Sequence, residues 1–245
     1  MKIRLLFFSS LFCFISYGQL LNKNNPDYYN WFDTFIGIEN TGLYNGVLYT
    51  EKYNLIHKKH QFFNSSDFIP GSVSYEGKEY YGLMIKYNIY EDKVLIKLSN
   101  KFGVRTLQLI SSNVDNFSIG DHKFVNIRSG ISTTKESGFY EVLTSNDRFV
   151  FYKKHHKIKK ELFKEDRLLY DFLDRESYFL FYNDSYYLIR TKSELNRVFP
   201  ELKKDITTFY NANKTVRKSN SDMFWILLMK KIHSLISNNN NSIKE

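Results

Sequence analysis

Between Gly46 and Arg190 apolar and polar residues alternate in short runs rich in Tyr, Phe, Ile, Leu and Val, the period of two expected of strands with one covered face. Five two-residue turn candidates punctuate these runs: Glu76-Gly77, Glu91-Asp92, Gly120-Asp121, Asn146-Asp147 and Asn183-Asp184. Gly, Asn and Asp tolerate the positive φ that tight hairpin turns demand, so each pair predicts an antiparallel hairpin, Glu91-Asp92 with the weakest turn chemistry. A two-residue loop at Glu91-Asp92 sets Ile89 opposite Val94, Tyr87 opposite Ile96 and Ile85 opposite Leu98, with Lys86 facing Lys97 on the other side. The same count across Gly120-Asp121 opposes Phe117 and Phe124. Across Asn183-Asp184 it opposes Phe181 to Tyr186 and Phe179 to Leu188, while Leu180 faces Tyr187 and Tyr178 faces Ile189, so that hairpin needs cover on both faces.

After Arg190 the period changes from two to that of a helix. Thr191 and Glu194 form a capping box, and Leu195, Val198, Phe199, Leu202, Ile206, Phe209 and Tyr210 keep one apolar stripe, with Pro200 opening a second helix after a break. Ser221 caps a further helix whose apolar run, Met223 to Met229, is far shorter than the roughly 20 residues of a membrane span. The Asn-rich end from Ser237 to Glu245 reads as a frayed polar tail. The expected fold is therefore α+β, mainly β: an antiparallel meander curled into a sandwich or half-barrel, with C-terminal helices packed on it. The β-rich domain covers residues 19–190 and the helical segment 191–236. The charged stretch between Lys153 and Glu176 is the best candidate for an internal boundary.

The N-terminus has a pattern of its own. Lys2 and Arg4 precede the apolar run Leu5 to Ile15, and Ser16-Tyr17-Gly18 supplies small residues for cleavage before Gln19, so residues 1–18 read as an export signal. Phe12, bulky where a lipidation site needs a small residue, argues against acylation of Cys13. This reading changes the composition. The chain has 245 residues, 35 basic and 26 acidic, at a formal charge of +9; without Lys2 and Arg4 it carries 33 basic residues and a charge of +7. The one cysteine leaves with the signal, so the mature chain is thiol-free, and disulfide frameworks, thiol nucleophiles and multi-cysteine metal centres drop out. Eleven Gly and three Pro, well below average usage, exclude collagen-like and low-complexity classes. Aromatic residues, 18% of the chain, are dense between Tyr44 and Tyr90 and are accounted for first by half-buried strands.

Candidate chemistry is sparse. The run Lys153-Lys154-His155-His156-Lys157-Ile158-Lys159-Lys160 holds five lysines, and Lys153, Lys154, Lys157, Lys159 and Lys160 are the candidate anion-binding residues. The competing account is neutralisation by Glu161, Glu165, Asp166, Asp171, Asp174 and Glu176. Adjacent His155 and His156 point to opposite faces of a strand and do not chelate one ion, and His57 with His60 lacks an identifiable third ligand. Zinc-helix, nucleophile-elbow, phosphate-loop and calcium-loop motifs are all missing. A pair of carboxylates brought from distant strands leaves no local signature; Glu141, mid-strand opposite Tyr152, is the candidate participant. No catalytic, metal or cofactor residue is assigned and no cofactor is expected.

The segments Asn45-Gly46-Val47-Leu48-Tyr49, His60-Gln61-Phe62-Phe63, Gly71-Ser72-Val73-Ser74-Tyr75 and Lys86-Tyr87-Asn88-Ile89-Tyr90, together with Phe199-Pro200-Glu201-Leu202-Lys203-Lys204 within Ser193 to Tyr210, give the chain a resemblance to an uncharacterised family of exported proteins of Bacteroidota. The likeness covers most of the mature chain, with Asn88 standing where the family's sheet motif has Asp. It implies an envelope location and brings no activity, cofactor or site residue. The expected protein is an exported, uncharacterised envelope protein, periplasmic or in the outer envelope, soluble after signal cleavage and without a transmembrane helix. Its function is expected to be that of a non-catalytic binding or accessory module for an envelope protein or glycan, with intracellular nucleic acid disfavoured. The alternatives are a hydrolase of envelope glycan using two distant carboxylates, and a surface protein binding polyanions through Lys153 to Lys160.

Overall fold

The computed structural model describes residues 40–100, 103–128 and 137–241. The expected export signal lies outside the described residues. Eleven strands form one antiparallel sheet: β1 (Val47–Leu48), β2 (Ile69–Tyr75), β3 (Lys78–Asn88), β4 (Lys93–Asn100), β5 (Gly103–Gln108), β6 (Val114–Ile119), β7 (His122–Ile127), β8 (Gly138–Ser145), β9 (Phe149–Lys164), β10 (Arg167–Tyr182) and β11 (Ser185–Ile189). Their order across the sheet is β1-β5-β4-β3-β2-β6-β7-β8-β9-β10-β11. Four helices follow: α1 (Lys192–Val198), α2 (Lys203–Ala212), α3 (Lys214–Ser219) and α4 (Ser221–Asn241). The mainly-β architecture with packed C-terminal helices is thus present. The sheet is one open ladder whose edges β1 and β11 do not meet, so the expected sandwich is absent and the expected half-barrel is reduced to a local bend between β3 and β8.

One face carries two cores. Tyr75, Ile85, Tyr87, Ile96, Phe117, Phe124 and Phe139 belong to the first, with Phe63 and Leu43 from the segment before β2. The rings of Tyr87 on β3 and Phe139 on β8 lie 6.0 Å apart although three strands separate them in the sheet, so this face bends inward and covers its own aromatics. In the second core, Phe149, Phe151, Tyr178, Leu180 and Ile189 meet Leu195, Phe199, Leu202, Ile206, Tyr210, Phe224 and Trp225 of the helical cap. Opposite the cap, Tyr140, Tyr152 and Phe179 form a smaller cluster with half-buried Phe181, Tyr186 and Leu188, drawn from the sheet alone, so among the described residues the helices cover one face of the last hairpin and the other keeps only the sheet's own side chains.

Local chemistry explains where register holds and where it moves. Asn183 and Asp184 both adopt positive φ, and Tyr178↔Ile189 through Phe181↔Tyr186 pair as the turn dictates. Phe117 opposes Phe124. At Glu91-Asp92 the loop is four residues long, so Tyr87 faces Val94 and Ile85 faces Ile96, two positions from the expected alignment, and Lys86 meets Leu95 instead of Lys97. The cause is competition for the backbone: the Ile89 and Tyr90 amides donate to the Gln61 carbonyl and the Glu91 amide to Asn88 Oδ1. Because the shift is even, the apolar residues keep their face.

The stretch 153–176 is no boundary. It forms the long hairpin β9–β10, turned at Glu165-Asp166, both at positive φ, a turn that its charged neighbours conceal. The Thr191–Glu194 capping box is present, and Pro200 opens a 3-10 turn that runs into α2. Asn220 rather than Ser221 caps α4, its side chain accepting from the Met223 amide, and α4 continues to Asn241, past the expected fraying at Ser237. Among the described residues no helix is long and apolar enough to cross a membrane.

Candidate functional site

Glu141 is the centre of the site, and a one-residue slip puts it there. The Arg148 and Phe149 amides both donate to Asn146 Oδ1, which lengthens the β8–β9 connection, and a bulge between Val142 and Thr144 then shifts the ladder. Glu141 therefore pairs with Lys153, and Val142 takes the expected place opposite Tyr152. In a strand such a slip exchanges faces, so the carboxylate shares a face with Lys153 and His155.

Buried to 6% exposure, Glu141 lies between two imidazoles: Oε1 is 2.5 Å from His122 Nδ1 and Oε2 is 2.6 Å from His155 Nε2. Burial works to raise the carboxyl pKa, but the hydrogen bonds from His155 and His122 and their charges outweigh it, and the group sits below its ordinary value. An ionised carboxylate only accepts, so both facing nitrogens carry hydrogen. The His122 side chain, 43% exposed, leaves its other ring nitrogen outside this pairing. Phe63 stands edge-on to both rings, 4.9 Å from His122 and 5.0 Å from His155, and limits their tilt.

These groups line a cleft of about 580 Å³ between the two cores, with Lys58, Lys59 and His60 on the segment before β2 and Lys157, Asp174 and Glu176 on the β9–β10 hairpin. The volume is in the range of small-ligand sites. His60 Nδ1 accepts from the Phe62 amide, and burial, with Lys157 nearby, holds the ring below its ordinary pKa, so it is a neutral acceptor. Lys153, 4% exposed, reaches Glu176 Oε1 at 2.7 Å and Asp222 Oδ2 at 2.8 Å. Burial works to lower its pKa; the two carboxylates prevail and raise it. The Tyr178 hydroxyl donates to Asp222 Oδ1 at 2.7 Å, so Lys153 and Tyr178 both hold this carboxylate.

The candidate anion-binding lysines do not converge. Alternation sends Lys153, Lys157 and Lys159 to one face and Lys154 and Lys160 to the other. Lys154, 5% exposed, bonds Asp92 Oδ2 at 2.8 Å and the Phe139 carbonyl at 3.1 Å. Lys157 pairs with Asp174 and Lys159 with Glu161, both at 2.7 Å, while Lys160 lies opposite Asp171 in the ladder. The acids following the run are thus its partners. His57 bonds Asp171 at 2.8 Å, away from His60, and among the described residues no three His, Cys, Asp or Glu side chains are placed to hold a metal ion. The sequence reading missed His122, because the long polar stretch between Ile127 and Gly138 leaves the β7–β8 alignment open; only its pairing, Phe124↔Glu141, brings His122 to the carboxylate.

No protein-family profile, curated protein or solved structure matches this chain, so its possible roles are argued from the site alone.

Proposed function

We propose that the protein is a non-catalytic binding module of the cell envelope, exported by its N-terminal signal, whose cleft takes a polyhydroxylated ligand such as a segment of envelope glycan. The observation that carries this reading is the double engagement of Glu141: both carboxylate oxygens are occupied by imidazoles and the group is held ionised, so it has neither a proton to donate nor a free oxygen to attack an anomeric carbon. Glu176 and Asp222 are joined through one lysine, Lys153, which engages a carboxylate oxygen of each. The cleft also presents donors and acceptors: Lys58, Lys59, the ring of His122, and the carboxylates of Asp174 and Glu176, which Lys157 and Lys153 engage. Such mixed polarity suits hydroxyl groups, which both donate and accept.

The test is a calorimetric and NMR titration with soluble envelope glycan fragments, run beside a turnover assay on chromogenic glycosides. Saturable binding that shifts the His122 resonances, is weakened about tenfold or more by His122→Ala and is accompanied by no hydrolysis is the expected result. Turnover that disappears in Glu141→Gln would replace this reading with the hydrolase alternative.

A further inference from the structure

A second cleft, of about 640 Å³, lies on the far side of Tyr178 and has a different character. Arg190 and Thr191 follow β11, Lys192 begins α1, Lys214 and Arg217 lie on α3, and Ser221 and Trp225 lie in the first turns of α4; Tyr178 of β10 and Tyr210 and Asn211 near the end of α2 complete the lining. Four cations border this cleft and no carboxylate does. Among the described residues none of the four is in an ion pair, whereas Lys153, Lys154, Lys157 and Lys159 on β9 each reach an acid. Two carboxylates lie nearby without forming an ion pair with the four: Glu194 accepts from the Arg190 and Thr191 amides and feels the Arg190 charge, and Asp222 holds Lys153 and the Tyr178 hydroxyl.

The cations come from separate elements tied together by the cap's own core. The Arg217 guanidinium lies over the Tyr210 ring, 5.2 Å from its centre, a cation–π contact that restrains an otherwise exposed side chain. Tyr210 is itself wedged against Phe224 and Trp225. Four positive charges outside any ion pair among the described residues, set around a concavity of ligand size, recognise a compact anion carrying more than one charge, and a guanidinium fork matches paired oxygens bidentately. The volume exceeds what a bare ion fills, and the floor of buried aromatic edges with the Ser221 hydroxyl leaves room for an organic body.

We propose that this second cleft binds a tetrahedral oxyanion, the phosphate or sulfate monoester of a small organic molecule. The site is independent of the first cleft and of any reading of that cleft. Calorimetric titrations at low salt with inorganic phosphate, glucose 6-phosphate, glucose 6-sulfate and glucose test it on the full chain. Saturable binding of at least one ester, with glucose silent, is expected, and the ratio of the two ester affinities separates a phosphate from a sulfate source. Arg190→Gln and Arg217→Gln should each weaken binding about tenfold. Lys214→Gln, an exposed change that leaves the Arg217–Tyr210 contact in place, should weaken it with an unchanged melting curve, and His122→Ala should leave it unaltered. Failure of both esters to bind, affinity that survives all three cleft substitutions, or retention of long polyanions without ester binding would overturn the proposal.

Discussion

Single residues in this protein act through what they neutralise. Glu141 was legible in the sequence as an isolated carboxylate in a strand, and its partners were not, because they depend on a bulge and on a ladder between strands joined by a long polar segment. The pairing has a thermodynamic sign. With its pKa below the ordinary value in the folded state, Glu141 binds fewer protons folded than unfolded near pH 4, so its contribution is complete above the usual carboxylate range and is lost as the pH falls through the depressed folded value. Glu141→Gln should lower stability at neutral pH by about 1–3 kcal/mol and flatten the acid limb of the stability curve, because the titrating group is gone. Chemical denaturation at a series of pH values reads both effects; parallel acid limbs in parent and variant would show that the imidazole pairing does not govern this group.

At the scale of elements, turn chemistry and caps were readable because they depend on residues a few positions apart. Asn183-Asp184 and Thr191 to Glu194 each carry their geometry in their own side chains. Alignments that answer to distant groups were not readable, as at Glu91-Asp92, where the Gln61 carbonyl captures two amides. The seam between β2 and β6 is of this second kind. A methyl group on Gly71 would run into the Ser118 backbone carbonyl across that seam, so the strands approach closely only because the side chain is absent. Gly71→Ala should cost about 1–3 kcal/mol in urea unfolding. Ser72→Ala, which loses the 2.9 Å contact between the Ser72 and Ser118 hydroxyls, gives a milder comparison at the same seam. Equal stability of Gly71→Ala and parent would mean that the seam yields at no cost.

On the scale of the whole molecule, charge is used as internal bracing as much as surface decoration. Asp92, in the β3–β4 turn, accepts from the Tyr87 hydroxyl at 2.6 Å, from Lys154 Nζ at 2.8 Å and from the Phe139 amide at 3.3 Å, and so fastens one half of the bent sheet to β8 and β9. Asp92→Ala should destabilise by about 3–5 kcal/mol, since it leaves Lys154 buried without its counter-charge, and adding Lys154→Met should recover a substantial part. A thermal-denaturation cycle of these variants measures the coupling, and simple additivity of the two changes would refute the brace. The strand order has a further consequence, for how the chain reaches this shape. All neighbouring strands except β1 with β5 and β2 with β6 are consecutive in the chain, so nearly every ladder can close from a local turn without waiting for a distant segment. Folding therefore behaves as a zipper with two stitches, and the entropy of long-range loop closure is concentrated where β2 finds β6 and β5 finds β1.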